Sequence, residues 1–173
     1  WGGSAFKFGI YSRKDKSDKA GGEGNSYSDG YGWYSKYGVD EEAAFGQIRS
    51  LVAGVAAAAA RGDLATIEAA DLGQAFKWKI AFHYQDRQNP RIVAIFTTAP
   101  LLAFLGSSDT SQSMADLQAA VMAQKGTDEE VLDFGARVWK VWSEKAIKVF
   151  KLSHGNDGSF ALLAIVVDLT HAP

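Results

Sequence analysis

Between Phe76 and Phe96 the chain places Phe76, Trp78, Ile80, Phe82 and Tyr84 at every second position, with Lys77, Lys79, Ala81 and His83 between them. A period of two predicts a strand with one aromatic face and one basic face. Arg91 to Phe96 follows, almost continuously apolar and rich in β-branched residues, and predicts a more central strand. The break between them carries Asp86, Asn89 and Pro90, so the two runs read as a hairpin.

The rest of the chain sorts by the same patterns. Phe6 to Tyr11 alternates weakly and predicts a first strand, after which about residues 12–30 are charged and glycine-rich with no hydrophobic period, a flexible loop. In YGWYSKYG, Tyr31, Trp33, Tyr34 and Tyr37 crowd together beside Tyr27, either to anchor that loop to the core or to offer stacking surfaces to a ligand. Trp33 is flanked like a strand residue. Asp40 caps a helix with Glu41 and Glu42 in its first turn, Phe45, Ile48, Val52, Val55 and Ala59 on one face, and Arg61-Gly62 at its end. A short helix follows from Asp63 with Leu64 and Ile67 inward, and further helices are predicted over Thr98–Leu105 and Met114–Lys125. Thr127 to Glu130 has the pattern of a capping box, predicting a helix from there with Val131, Phe134, Val138 and Trp142 on one face and Trp139 on its flank. Lys148–Leu152 and Phe160–Val167 read as two last strands around the turn sequence HGNDG. The expected fold class is α+β: a mixed or mostly antiparallel sheet with helices packed against it, in one domain spanning residues 1–173.

At 173 residues the chain is long enough for one full core and too short for two ordinary domains. No uninterrupted apolar run is long enough for a bilayer, no secretory signal opens the chain, and the absence of cysteine excludes disulfides, thiol catalysis and cysteine-held zinc. These features lead to the expectation of a cytoplasmic protein without membrane contact. A chain opening on Trp1 instead of Met reads as a piece of something longer. A net charge of −2 gives no global basic field. The charge is nonetheless uneven: five basic residues against two acidic ones lie between Lys7 and Lys19, and five against one between Arg137 and Lys151, while Asp40 to Asp71 is acidic. Such runs are solvated surface or a basic face on an acidic protein.

The chain carries no phosphate loop, dinucleotide fingerprint or nucleophile elbow. His83, His154 and His171 have no metal-type partner at helical spacing, and Asp86 and Asp157 sit where turns need them. No catalytic role, metal or cofactor is therefore expected; a hydrolase using His83 or His154 is the least favoured reading. A binding module remains. Proteins that read one altered base extrude it into a pocket, stack aromatic side chains on it and hold the phosphates with Lys and Arg. The residues expected to do this are Arg13, Lys14, Lys16, Lys77 and Lys79 for phosphates, Tyr31, Trp33, Tyr34, Trp78 and Tyr84 for stacking, and His83 on the basic face.

YGWYSKYG, then Asp40-Glu-Glu-Ala-Ala-Phe45, then Arg61-Gly-Asp-Leu64, then KWKIAFHYQ and IVAIF resemble the amino-terminal regions of some McrB-family proteins, over roughly Tyr31 to Leu105. Those are AAA+ GTPase subunits of modification-dependent restriction systems. The resemblance implies a specificity domain that binds double-stranded, modified DNA in antiviral defence, with GTP hydrolysis and cleavage left to the larger chain and a partner nuclease subunit. It carries over neither the modification nor its pocket residues. The rival expectation is a protein-interaction or assembly domain in which the Trp-rich helix and aromatic loop bury against a partner.

Overall fold

The computed structural model describes residues 8–14 and 24–146. Three short strands, β1 (Ile10–Ser12), β2 (Asn25–Tyr27) and β3 (Tyr31–Tyr34), form an antiparallel sheet in the order β1-β3-β2. Trp33 stands opposite Ile10 and Ser26, and Gly32 opposite Tyr11 and Tyr27. β2 lies inside the stretch expected to be loop. Its three residues are held by backbone pairing to β3, and a strand that short shows no hydrophobic period. A 3₁₀ turn over Ser35–Tyr37 leads into α1 (Glu41–Ala60), α2 (Leu64–Ala69), α3 (Gln74–Tyr84), α4 (Thr98–Leu105), α5 (Met114–Met122) and α6 (Val131–Ala146). The fold is α+β, with one hydrophobic core running from Trp33 and Ile48 through Trp78 and Ile92 to Leu117 and Phe134.

The first helices start where side-chain caps place them. Asp40 accepts the N–H of Ala43 at 2.8 Å and Asp63 that of Thr66 at 3.0 Å, each satisfying a donor that the first turn leaves open. α1 packs chiefly against α3, α4 against α6 and α5, and α2 joins the two groups through α5 and α3. The buried positions of α1 are Ala44, Ile48, Val55, Ala58 and Ala59, while Phe45, expected on that face, is exposed. α1 is also the one described helix long and apolar enough by composition to cross a bilayer. Its buried positions belong to the shared core.

The central hairpin is absent. Residues 74–84 form α3, whose buried positions Lys77, Trp78 and Ala81 continue to Gln85, a helical spacing and not an alternating one. The aromatic residues at even numbers mimic a strand period, but the face chosen by burial is set by contacts with α1 and α2. Arg91–Phe96 is buried in part as expected, with Ile92, Val93 and Ile95 in the core, yet it has no strand partner among the described residues. Two carboxamides replace the ladder. Gln85 Oε1 accepts the N–H groups of Arg91 and Ile92 at 2.8 Å each, and its Nε2 donates to the Ile92 carbonyl at 2.9 Å. Gln118 Oε1 accepts the N–H of Val93 at 2.8 Å, and its Nε2 donates to the Ile95 carbonyl at 2.7 Å. A buried irregular segment requires such partners for its main chain. Asp86 does form a turn, accepting the N–H of Gln88 at 2.9 Å.

α6 begins at Val131 and not at Thr127. Glu129, three residues after Gly126, instead accepts the Gly126 N–H at 3.1 Å and N–H groups from two Arg137 nitrogens, Nε at 2.9 Å and Nη2 at 2.8 Å, and this closes the loop ahead of the helix. Phe134 and Val138 are buried and Trp142 is half-buried, as expected. The strands expected over Lys148–Leu152 and Phe160–Val167, and the HGNDG turn, lie outside the described residues.

Candidate nucleic-acid interface

The residues expected to stack or to hold phosphate divide between core and surface. Trp33 is 3% exposed and donates its indole N–H to the Gly38 carbonyl at 2.9 Å. It is an anchor and not a wall. Trp78 is fully buried, and its indole N–H meets no acceptor among the described residues. Tyr34 packs on the core edge-on to Tyr37, with ring centroids 6.2 Å apart. Lys77, expected on a basic face, is only 6% exposed. Its ammonium donates to the carbonyls of Glu68 and Ala70 at the end of α2, where the helix leaves acceptors open and a cation suits the dipole. The basic face expected from Lys77 and Lys79 therefore does not form: on a helix the two point about 200° apart, and Lys79 is half-buried.

His83 and Tyr84 stand exposed at the end of α3, Tyr84 at 61%. The imidazole lies edge-on to Phe82, with centroids 5.5 Å apart. The N-terminal segment meets the opposite end of α3, where Phe8 packs edge-on to Phe76 at 5.2 Å. Phe76 and Tyr84 are separated by about 12 Å of helix rise.

The outward face of the sheet is where aromatic and cationic groups come together. Tyr11, Gly32 and Tyr27 lie in one row across the three strands. A side chain at residue 32 would come within 2.8 Å of the Tyr11 ring, so glycine is what lets that ring lie down on the sheet. Arg13 follows Tyr11 on the same face. Its guanidinium carbon is 5.2 Å from the Tyr27 ring centroid and its Nη1 donates to the Ser28 carbonyl at 2.7 Å. Its backbone N–H is held by the Gly30 carbonyl at 2.8 Å. Tyr31 is 45% exposed at the start of β3, and Lys14 is exposed just past β1. Lys16 lies outside the described residues. Sequence reasoning singled out Arg13, Lys14 and Tyr31 but missed Tyr11 and Gly32. Cross-strand register joins Tyr11, Gly32 and Tyr27, with Tyr31 opposite Ser12 on the other face, and a strand of three residues does not announce its register.

A second concave surface was not anticipated. A cleft of about 430 Å³ opens between the α1–α2 turn, the segment after α3 and the α5–α6 loop, with Gln88, Asn89, Arg91, Met122 and Lys125 on its walls. Among the described residues no three histidine and carboxylate groups gather as a metal site. Comparison with protein-family models, with characterised proteins and with solved structures finds no match for this chain.

Proposed function

We propose that this domain binds DNA through the outward face of its small sheet and serves as a recognition module for a modified base. The observation that carries the reading is the Arg13 guanidinium laid over the Tyr27 ring beside Tyr11. A base stacks on an aromatic face whatever its identity, and a guanidinium laid over a ring brings a planar, phosphate-matching cation to the same face. Duplex bases offer no free face, so a ring platform of this kind favours an extruded base, the state in which an alteration is most easily read. The resemblance to McrB-family amino-terminal regions supports the same assignment, with an AAA+ GTPase chain and a nuclease subunit as the partners that would act on the bound site.

The test is binding of the purified domain to short duplexes carrying plain, cytosine-modified, adenine-modified and backbone-modified sites, each at two salt concentrations. Selective binding that weakens with salt is the expected result. Replacing Arg13 by alanine should lower the salt slope by about one phosphate contact. No binding to any duplex at low salt would remove the reading. It would leave an assembly domain, which one observation favours: Leu132 and Trp139 are 64% and 49% exposed on α6, with Trp139 4.7 Å from Trp142 between centroids.

A further inference from the structure

The cleft behind Arg91 is independent of the sheet face. Its walls carry two cations, Arg91 and Lys125, and no carboxylate among the described residues. The placement of Arg91 is fixed from three sides. Pro90 precedes it, buried Gln85 holds its backbone N–H at 2.8 Å, and its aliphatic stem crosses Gly62 so closely that an added Cβ would stand 3.2 Å from Cγ. Gly62 has a φ of +70°, a conformation that resists any side chain. A substituent there would push the arginine out of place. The guanidinium itself makes no ion pair or hydrogen bond within the described residues.

Lys125 is fixed as firmly on the facing loop. Its ammonium donates to the carbonyls of Gly126 at 2.8 Å and Glu129 at 2.5 Å, which leaves one of three donors for a ligand. The nearby Glu129 carboxylate is held chiefly by Nε and Nη2 of Arg137, and Lys125 acts on it only as a weaker, through-space charge. On the same walls, Gln88 and Asn89 supply carboxamides that both donate and accept, and Leu64, Pro90 and Met122 supply apolar surface. Two held cations, neutral amides and an apolar wall match a ligand with a phosphate at one end and a flat hydrogen-bonding ring at the other. At about 430 Å³ the cleft has the size of a small-molecule site.

We propose that this cleft binds a nucleoside monophosphate unit, its phosphate on Arg91 and Lys125 and the edge of its base on Gln88 and Asn89. The unit is either a free nucleotide or the 5′-terminal nucleotide of a DNA strand, which present the same chemistry. Calorimetric titration of the whole chain with the four 5′-mononucleotides, their nucleosides and a 5′-phosphorylated single-stranded oligonucleotide tests this. Binding of at least one mononucleotide or of the phosphorylated oligonucleotide is expected, at least tenfold tighter than the matching nucleoside or unphosphorylated strand. Arg91→Ala should lose at least tenfold in affinity while keeping its circular dichroism spectrum, because the backbone N–H that Gln85 holds is retained. Lys140→Ala removes one exposed positive charge from α6 and should bind as the parent does. The proposal is overturned if no phosphorylated ligand binds at millimolar concentration, if nucleoside and nucleotide bind alike, or if Lys140→Ala weakens binding as much as Arg91→Ala.

Discussion

Trp78 and Lys77 are neighbours in sequence and both buried, but their polar atoms fare differently. The Trp78 indole N–H has no acceptor among the described residues, so the side chain contributes through its apolar bulk. Trp78→Ala should destabilise the fold by about 3–5 kcal/mol, and Trp78→Phe by clearly less, since it removes an unpaired donor; urea denaturation of the two variants gives the comparison. Lys77 instead donates to the carbonyls of Glu68 and Ala70 at the end of α2. Lys77→Met is expected to cost about 1–3 kcal/mol and to leave the salt dependence of any DNA binding unchanged. A lysine in contact with phosphate would give the opposite pair of results. At the sheet, Arg13→Ala carries the reverse expectation, a weakened salt slope with little loss of stability.

Among the elements, the segment from Arg91 to Phe96 depends on side chains that belong to other parts of the chain. Gln118→Leu would leave the Val93 N–H and the Ile95 carbonyl without partners inside the core. Each orphaned group should cost about 1–3 kcal/mol, and amide exchange should speed up at Val93 before it does in α1. The start of α6 is held by electrostatics. Hydrogen bonds from Arg137, then the Gly126 N–H, bring Glu129 down to about 2 from its ordinary 4.5. A carboxylate with a depressed folded pKa stabilises fully above its unfolded value and loses that contribution as pH falls through the folded one. The stability difference between the parent chain and Glu129→Gln should therefore be complete above about pH 5 and shrink toward pH 2, as denaturation curves across that window will register.

On the scale of the whole molecule, the sheet face and the cleft separate two kinds of contact. The sheet offers ring faces with a cation laid over one of them, and the cleft offers cations with amides and no rings. A domain that uses both on one DNA would show two independent losses: Arg13→Ala would weaken duplex binding, and Arg91→Ala would weaken mononucleotide binding. The acidic run from Asp40 to Asp71 is largely consumed in structure. Asp40 and Asp63 cap helices, Glu68 accepts the N–H of Ala115 at 3.1 Å, and Asp71 pairs with Lys36 at 2.5 Å. An overall charge of −2 is thus a poor guide to the surface a ligand meets.

Local signals determined much of the fold. Asp40 and Asp63 caps, glycine after Arg61, the helix over Thr98–Leu105, and the buried stripe of Met114, Leu117 and Val121 each act within a turn or two of chain. They are legible because capping and helical periodicity involve neighbours in sequence. The tertiary structure alone decided that Phe76–Tyr84 is helical, since an aromatic-rich run with lysines between satisfies both periods until a packing partner selects one. It decided too that Gln85 and Gln118 act as backbone partners and that Lys77 is buried, because these bonds span 6 to 25 residues. The sites follow the same division. Arg13, Lys14 and Tyr31 carried their chemistry openly, while Tyr11 on Gly32 and the placing of Arg91 and Lys125 on one cleft depend on register and on loops meeting, which composition and spacing do not encode.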